Sequence, residues 1–265
     1  MTWSAVVLVL LAGLWAGGIN AVVGSGTLVT FPVLVALGYP PLTATMSNGI
    51  GLVAGGVSGV LGYRRELAGQ RRLLLRLLPA SLVGGVVGAL LLLRLPESGF
   101  EAAVPGLILL ALVLVVTQPW LQRRTRARTE RRVAAGEHPG RWVGTLAVTA
   151  AGLIGVYGGY FTAAQGVLLV GALGSLLLVP LQTVNGIKNV LSLVVNVVSA
   201  FVYAALGADR IDWAVAGLIA GSSLAGGWLG ARYGRRLHPN ALRAIIVVLG
   251  LVALTRSVGG LVGWW

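Results

Sequence analysis

Asn185-Gly186-Ile187-Lys188-Asn189 places the single lysine of the chain inside a sequence apolar enough to live in lipid. The same Asn-Gly-Ile stands 137 positions earlier, at Asn48-Gly49-Ile50, where Gly51 follows and the charge is absent. A second echo pairs Gly84-Gly85-Val86-Val87-Gly88 and Arg94-Leu95 with Gly226-Gly227-Trp228-Leu229-Gly230 and Arg236-Leu237, at a separation of 142. The chain therefore repeats internally, and one copy carries a cation that the other lacks.

Composition decides the solvent. Hydrophobic residues make up 57% of 265 positions and charged residues 10%, with a mean hydropathy of +0.90. That balance excludes an ordinary soluble domain. The net charge of +13 does not point to nucleic acid, because the arginines gather in short segments between apolar runs, as loops facing anionic headgroups do. Without cysteine there is no disulfide or thiolate chemistry. His138 and His238 both sit beside prolines in charged stretches, so neither a metal site nor a cofactor is expected. The first basic residue is Arg64, so the amino-terminal apolar run lacks the charged start of a signal peptide and reads as a membrane segment.

Apolar runs fall near 3–23, 26–38, 43–62, 73–93 and 102–121, then near 142–160, 163–179, 184–206, 213–231 and 241–258. The run 26–38 is too short to cross about 30 Å of hydrocarbon and holds Pro32, so for it and for 163–179 a full span and a re-entrant segment both stay open. The stretch 122–141, with seven arginines and no apolar run, reads as a basic cytoplasmic loop between repeats at 1–121 and 142–265. Loop charge fixes how the repeats relate. Arg64, Arg65, Glu66, Arg71 and Arg72 follow the third run, whereas the equivalent loop of the second repeat holds Asp209, Arg210 and Asp212; the next loops, with Arg94, Glu97 and Glu101 against Arg232, Arg235, Arg236 and Arg243, reverse the pattern. By the positive-inside rule equivalent loops face opposite sides. The expected fold is an all-α polytopic membrane protein of two inverted-topology repeats, with 8–10 membrane helices, some short or re-entrant.

Inverted repeats with broken helices are the architecture of secondary transporters, which bind substrate between the repeats; a channel or a membrane scaffold without active transport is the alternative. No segment carries a catalytic acid pair, a Ser/His pair or a metal cluster, so an enzyme is not expected. Asn185, Asn189, Ser192, Asn196 and Ser199 share one helical face, which must point into the bundle. Asn48, Gly51, Gly55, Ser58 and Gly62 form the corresponding face of the first repeat. Lys188 lies beside the polar face, with all seven acidic residues in loops or at segment ends. Either an anionic substrate supplies its counter-charge, or it snorkels to headgroups. Asn20 to Gly26 and Gly155 to Gly166 sit where a long segment meets a short one, and glycine there lets a half-helix begin with unpaired N–H groups that suit an anion. The candidate substrate-binding set is Asn20, Ser25, Gly26, Asn48, Gln165, Asn185, Lys188 and Asn189.

At these residues the sequence resembles the TauE/SafE family of sulfite exporter-like membrane transporters. The resemblance rests on Asn20-Ala21, Gly24-Ser25-Gly26, Thr30-Phe31-Pro32, Gly38-Tyr39-Pro40-Pro41, Ala44-Thr45 to Asn48 and Gly62-Tyr63-Arg64-Arg65-Glu66-Leu67. In the second half it rests on Tyr157-Gly158-Gly159-Tyr160-Phe161, Gly166 and Asn185-Gly186-Ile187-Lys188-Asn189. Gly-Ser-Gly stands where many members have a glycine run, and Thr162-Ala163-Ala164-Gln165 where Gly-Ala-Gly-Met is common. The resemblance implies secondary transport of small sulfur-containing anions, such as sulfite or organosulfonates, across a bacterial inner membrane. The expected partners are that anion and membrane lipids, not nucleic acid, and a homodimer is left open.

Overall fold

The computed structural model describes residues 1–134, 141–233 and 239–262; His138, His238, Arg235 and Arg236 lie outside them. Ten α-helices follow in order: α1 Trp3–Val22, α2 Thr27–Ala36, α3 Pro41–Gly62, α4 Arg71–Arg94, α5 Glu97–Ala134, α6 Arg141–Tyr160, α7 Gln165–Leu176, α8 Leu181–Leu206, α9 Trp213–Tyr233 and α10 Pro239–Val262. Among the described residues six helices are long and apolar enough to cross a membrane, and α2 and α7 are shorter apolar helices. The chain is a multi-pass membrane protein. One boundary differs from the sequence expectation: α5 continues through Ala134, so most of 122–141 is helix. Arg and Ala are strong helix formers, and a helix leaving lipid continues until a breaker stops it.

Packing partners give the inverted repeat directly. α1 packs most extensively on α9 and α6 on α4, so the first helix of each repeat lies against the fourth of the other. Gly13 faces Ser222 and Gly18 faces Gly226 and Gly230, so α1 and α9 run parallel. Gly51 faces Ile219 and Gly62 faces Ala231, making α3 parallel to α9 as well. In the other half Gly84 meets Gly152 and Gly88 meets Val156, so α4 and α6 also run parallel. The two third helices cross antiparallel, with Gly49 beside Tyr203, Gly56 beside Leu193 and Gly186 beside Tyr63. Since α1 and α3 point the same way, α2 must turn back between them. Its 10 residues rise about 15 Å, half a hydrocarbon core, so α1 and α2 form a helical hairpin with one short arm, and α6–α7 is its counterpart.

Helix ends follow from local chemistry. Thr2 Oγ1 accepts the Ala5 N–H at 3.3 Å and starts α1. Pro40 and Pro180 stand as N-caps of α3 and α8 with nearly the same extended backbone. Asp212 Oδ1 accepts the Val215 N–H at 3.0 Å to start α9, while its own N–H donates to Ser47 Oγ at 3.0 Å. Burial and the Asp212 carboxylate together raise the pKa of Tyr39, in the turn before α3. Charge is sorted along the bundle. Arg64, Arg65, Arg71, Arg72, Arg123, Arg124 and Arg232 belong to one end with Glu66, and Glu97, Glu101, Asp209 and Asp212 to the other with Arg94 and Arg210, so the excess of arginine lies where loop charge indicates.

Lipid tails offer no hydrophobic drive between helices, so close backbone approach through small residues must hold them. A Cβ on Gly226 would enter the backbone of Leu14, whereas one on Gly217, on the exposed side of α9, would meet nothing. Ser223 fastens the same region, accepting the Gly55 N–H at 3.1 Å and donating to Gly51 O at 3.0 Å. Gly226→Val is expected to destabilise the protein by about 3 kcal/mol or more through overpacking, while Gly217→Ala stabilises it by about 0.5–1 kcal/mol. Thermal unfolding in detergent reads both, and equal effects would overturn this packing account.

Candidate functional site

The two helical hairpins meet at their breaks. Gly24, at φ +89°, closes α1 in a left-handed conformation that glycine adopts without strain. Its N–H and that of Val23 both return to Ile19 O. Gly24 then lies against Gly166 at the start of α7, and the Gly166 N–H donates to Gly24 O at 3.1 Å. Neither position has room for a Cβ. The glycines of both junctions thus serve one contact.

Breaking α1 inside the bundle leaves its last carbonyls without helical partners, a state lipid does not tolerate. Side chains from elsewhere supply the donors. Lys188 Nζ donates to Asn20 O at 2.9 Å and Ala21 O at 3.2 Å, Asn189 Nδ2 donates to Ala21 O at 3.2 Å, and Gln118 Nε2 donates to Val23 O at 3.1 Å. Lys188 is fully buried and packs its stem on Gly24 and Gly166. It does not snorkel. Its charge faces the negative end of the α1 dipole, a favourable pairing, which answers how a cation sits here without a carboxylate.

The second junction solves the same problem with neutral groups. Tyr203 donates to Gly159 O at 2.6 Å, Thr162 to Gly158 O at 3.1 Å and Tyr157 to Ala163 O at 2.8 Å. The helix starts at Pro40 and Pro180, and the buried pair Tyr63 and Tyr203, both stand 140 positions apart. In that register Lys188 corresponds to Asn48, and the repeated Asn-Gly-Ile is displaced by one helical turn. Asn48 reaches α2: it accepts a hydrogen bond from Thr30 and donates one to Thr27 Oγ1 at 3.1 Å.

Lys188, Asn189, the Asn20 carbonyl, Ser25, Gly26 and Gln165 come together around the Gly24–Gly166 contact. Asn48 lies along α2, and Asn185 about one turn before Asn189, with its Oδ1 unpartnered. Gln118, Thr27, Thr30 and Tyr203 join the region without having been singled out by sequence. Gln118 offered a signal, a glutamine near the end of an apolar run, but position alone could not tell rim from core. Ser25 Oγ, both polar atoms of Gln165 and Gln118 Oε1 are buried with no hydrogen-bond partner among the described residues. The first backbone bonds into α2 are donated by Leu28, to Ser25 O, and Val29, to Gly26 O. The N–H groups ahead of them are the donors a helix start leaves over. The site therefore combines a cation, a half-helix N-terminus and uncommitted neutral polar atoms, a set that suits a small anion.

Lys188→Met removes the cation from Asn20 and Ala21 and leaves at least the Asn20 carbonyl unsatisfied. We expect a loss of about 2–4 kcal/mol, read as a fall in the thermal midpoint. Asn189→Ala, which leaves Ala21 O with Lys188, should cost about 1 kcal/mol. A Lys188→Met protein as stable as wild type would sink the capping role.

Residues 9–256 match the family model described as "Sulfite exporter TauE/SafE". The chain is 25% identical over 246 residues to a "Probable membrane transporter protein" of Haemophilus influenzae, covering 93% of this chain and 91% of that one. It is 26% identical over 243 residues to "Probable membrane transporter protein YfcA" of Escherichia coli K12, covering 89% and 83% respectively. A third relative, "Probable membrane transporter protein ORF9" of a Sinorhizobium species, is 31% identical over 94 residues, 36% of either chain. No solved structure matches the chain significantly. With its match spanning nearly all ten helices, this chain belongs to the TauE/SafE family of membrane transporters.

Proposed function

We propose that the protein is a secondary transporter of small sulfur-containing anions, of the sulfite or organosulfonate class, working by alternating access in a bacterial inner membrane with its arginine-rich end in the cytoplasm. The observation that carries the reading is that buried polar atoms at the two breaks are left uncommitted: Ser25 Oγ just before α2, Gln118 Oε1 on the side chain that caps Val23 O, and the Gln165 amide, which lies against Gly158. Sulfite and sulfonates present three oxygens on one head, which neutral donors around a cation can share. Neutral donors also favour release, which a carrier requires. The sulfur chemistry is supported by the family's description alone.

The Gly166 N–H to Gly24 O bond closes the two breaks against each other, which supports a carrier over an open pore. Counterflow in proteoliposomes separates these readings: a carrier preloaded with sulfite accelerates entry of labelled sulfite, and a channel does not. Ser25→Ala and Gln165→Leu lose no hydrogen bond to protein. Each is therefore expected to lower sulfite or sulfonate flux about tenfold or more while moving the thermal midpoint by no more than about 2 °C, since one lost charge-assisted bond is worth about 1.5–3 kcal/mol. Wild-type flux in both variants would overturn the site assignment.

A further inference from the structure

We propose that the cleft between the ends of α3 and α9 binds the phosphate headgroup of an anionic phospholipid. This cleft, about 510 Å³ in volume, is lined among others by Leu61, Arg64, Arg65, Glu66, Trp228 and Arg232. Three guanidinium groups stand against the one carboxylate of Glu66, so the wall keeps an excess of positive charge. The Arg232 guanidinium carbon lies 5.6 Å from the centre of the Trp228 ring and 5.8 Å from that of Tyr233, and the two rings meet edge to face at 6.4 Å. Held beside both rings in this way, Arg232 is positioned by cation–π contacts, which leave it positively charged.

Two features select a lipid over a soluble anion. Leu61 is 60% exposed and Trp228 53% exposed, so the basic wall continues into an apolar surface on the outside of the bundle, where an acyl chain lies. A tryptophan and tyrosine pair at a helix end also matches the headgroup level of a bilayer. A basic pocket between helices at this level is the arrangement that holds lipid phosphates.

The fold itself does not require these charges. Positions 140 residues after Leu61, Arg64 and Arg65 are Phe201, Ala204 and Ala205, and positions 142 residues before Trp228 and Arg232 are Val86 and Leu90. None of these equivalent positions at the other end of the molecule is an arginine. Arg64 and Arg65 come from the first repeat and Arg232 from the second, so one lipid phosphate would tie the two repeats together.

The test is native mass spectrometry of the full-length protein titrated with phosphatidylglycerol, with phosphatidylcholine and glycerol 3-phosphate as the neutral and chainless arms. Arg64→Gln, Arg65→Gln and Arg232→Gln are each expected to weaken phosphatidylglycerol binding roughly fivefold, and the triple variant about a hundredfold, while Arg210→Gln at the opposite end binds as wild type. Should the triple variant fail to fold, the three single variants decide. Unchanged affinity in the arginine variants, equal binding of phosphatidylcholine, or displacement of the lipid by equimolar glycerol 3-phosphate would each overturn the proposal. The sulfite flux of these variants is a separate readout.

Discussion

The interrupted end of α1 is the constraint on which the rest of the structure depends. In lipid a backbone carbonyl without a donor costs several kcal/mol, and α1 stops where no water is at hand. Its carbonyls are met by Lys188 and Asn189 of α8, Gln118 of α5 and the Gly166 N–H of α7. Three of these donors belong to the second repeat. The first repeat cannot close its break alone and draws Lys188, Asn189 and Gly166 from the second, whereas the break after α6 is capped from within its own repeat by Thr162 and Tyr203.

The same constraint explains why the two junctions differ although the scaffold is nearly symmetric. At α6 hydroxyl groups from Thr162 and Tyr203 cap the free carbonyls, and the chain turns through Ala164 at φ 59°, a conformation that a non-glycine residue adopts at some cost. At α1 a lysine does the capping. The ammonium group neutralises the negative end of α1 and lies close to the positive start of α2 across Gly24. Only the first junction therefore gathers positive potential, and it does so without an acidic partner that would compete with an anionic cargo.

Much of this was legible in the sequence, for reasons that can be named. Ten apolar runs became ten helices, since lipid forces every backbone group into helical bonding and hydropathy reports that directly. Loop arginines gave the inversion, which Gly13, Gly51, Gly84 and Gly56 then confirm as parallel and antiparallel contacts. The arginine-rich stretch was misread as a loop because charge marks the exit from lipid and not the end of a helix. The partners of Lys188 were beyond reach for a different reason. Backbone carbonyls 167 and 168 residues away have no signature of their own. The repeated Asn-Gly-Ile also set the register one turn off, hiding that Lys188 takes the place of Asn48.

What separates site from scaffold is how the buried polar atoms are treated. Leaving a buried polar group unpaired costs about 1–3 kcal/mol, and a chain that caps each end of α1 with such economy has the means to avoid it. Asn48 is tied at both ends to Thr27 and Thr30, Ser223 is bonded to two glycines, and Asn189 is spent on Ala21. Ser25 and Gln165 are not, and both stand beside the backbone contact of Gly24 with Gly166. Gln118 Oε1, and Asn185 Oδ1 and Ser192 Oγ on α8, are likewise unpartnered among the described residues, and unpaired buried polar atoms gathered in this way call for an explanation, which the proposed substrate supplies. Under the proposed transport function, the lysine builds the site by capping α1, and the neutral serine and glutamine are the groups left to contact an anion.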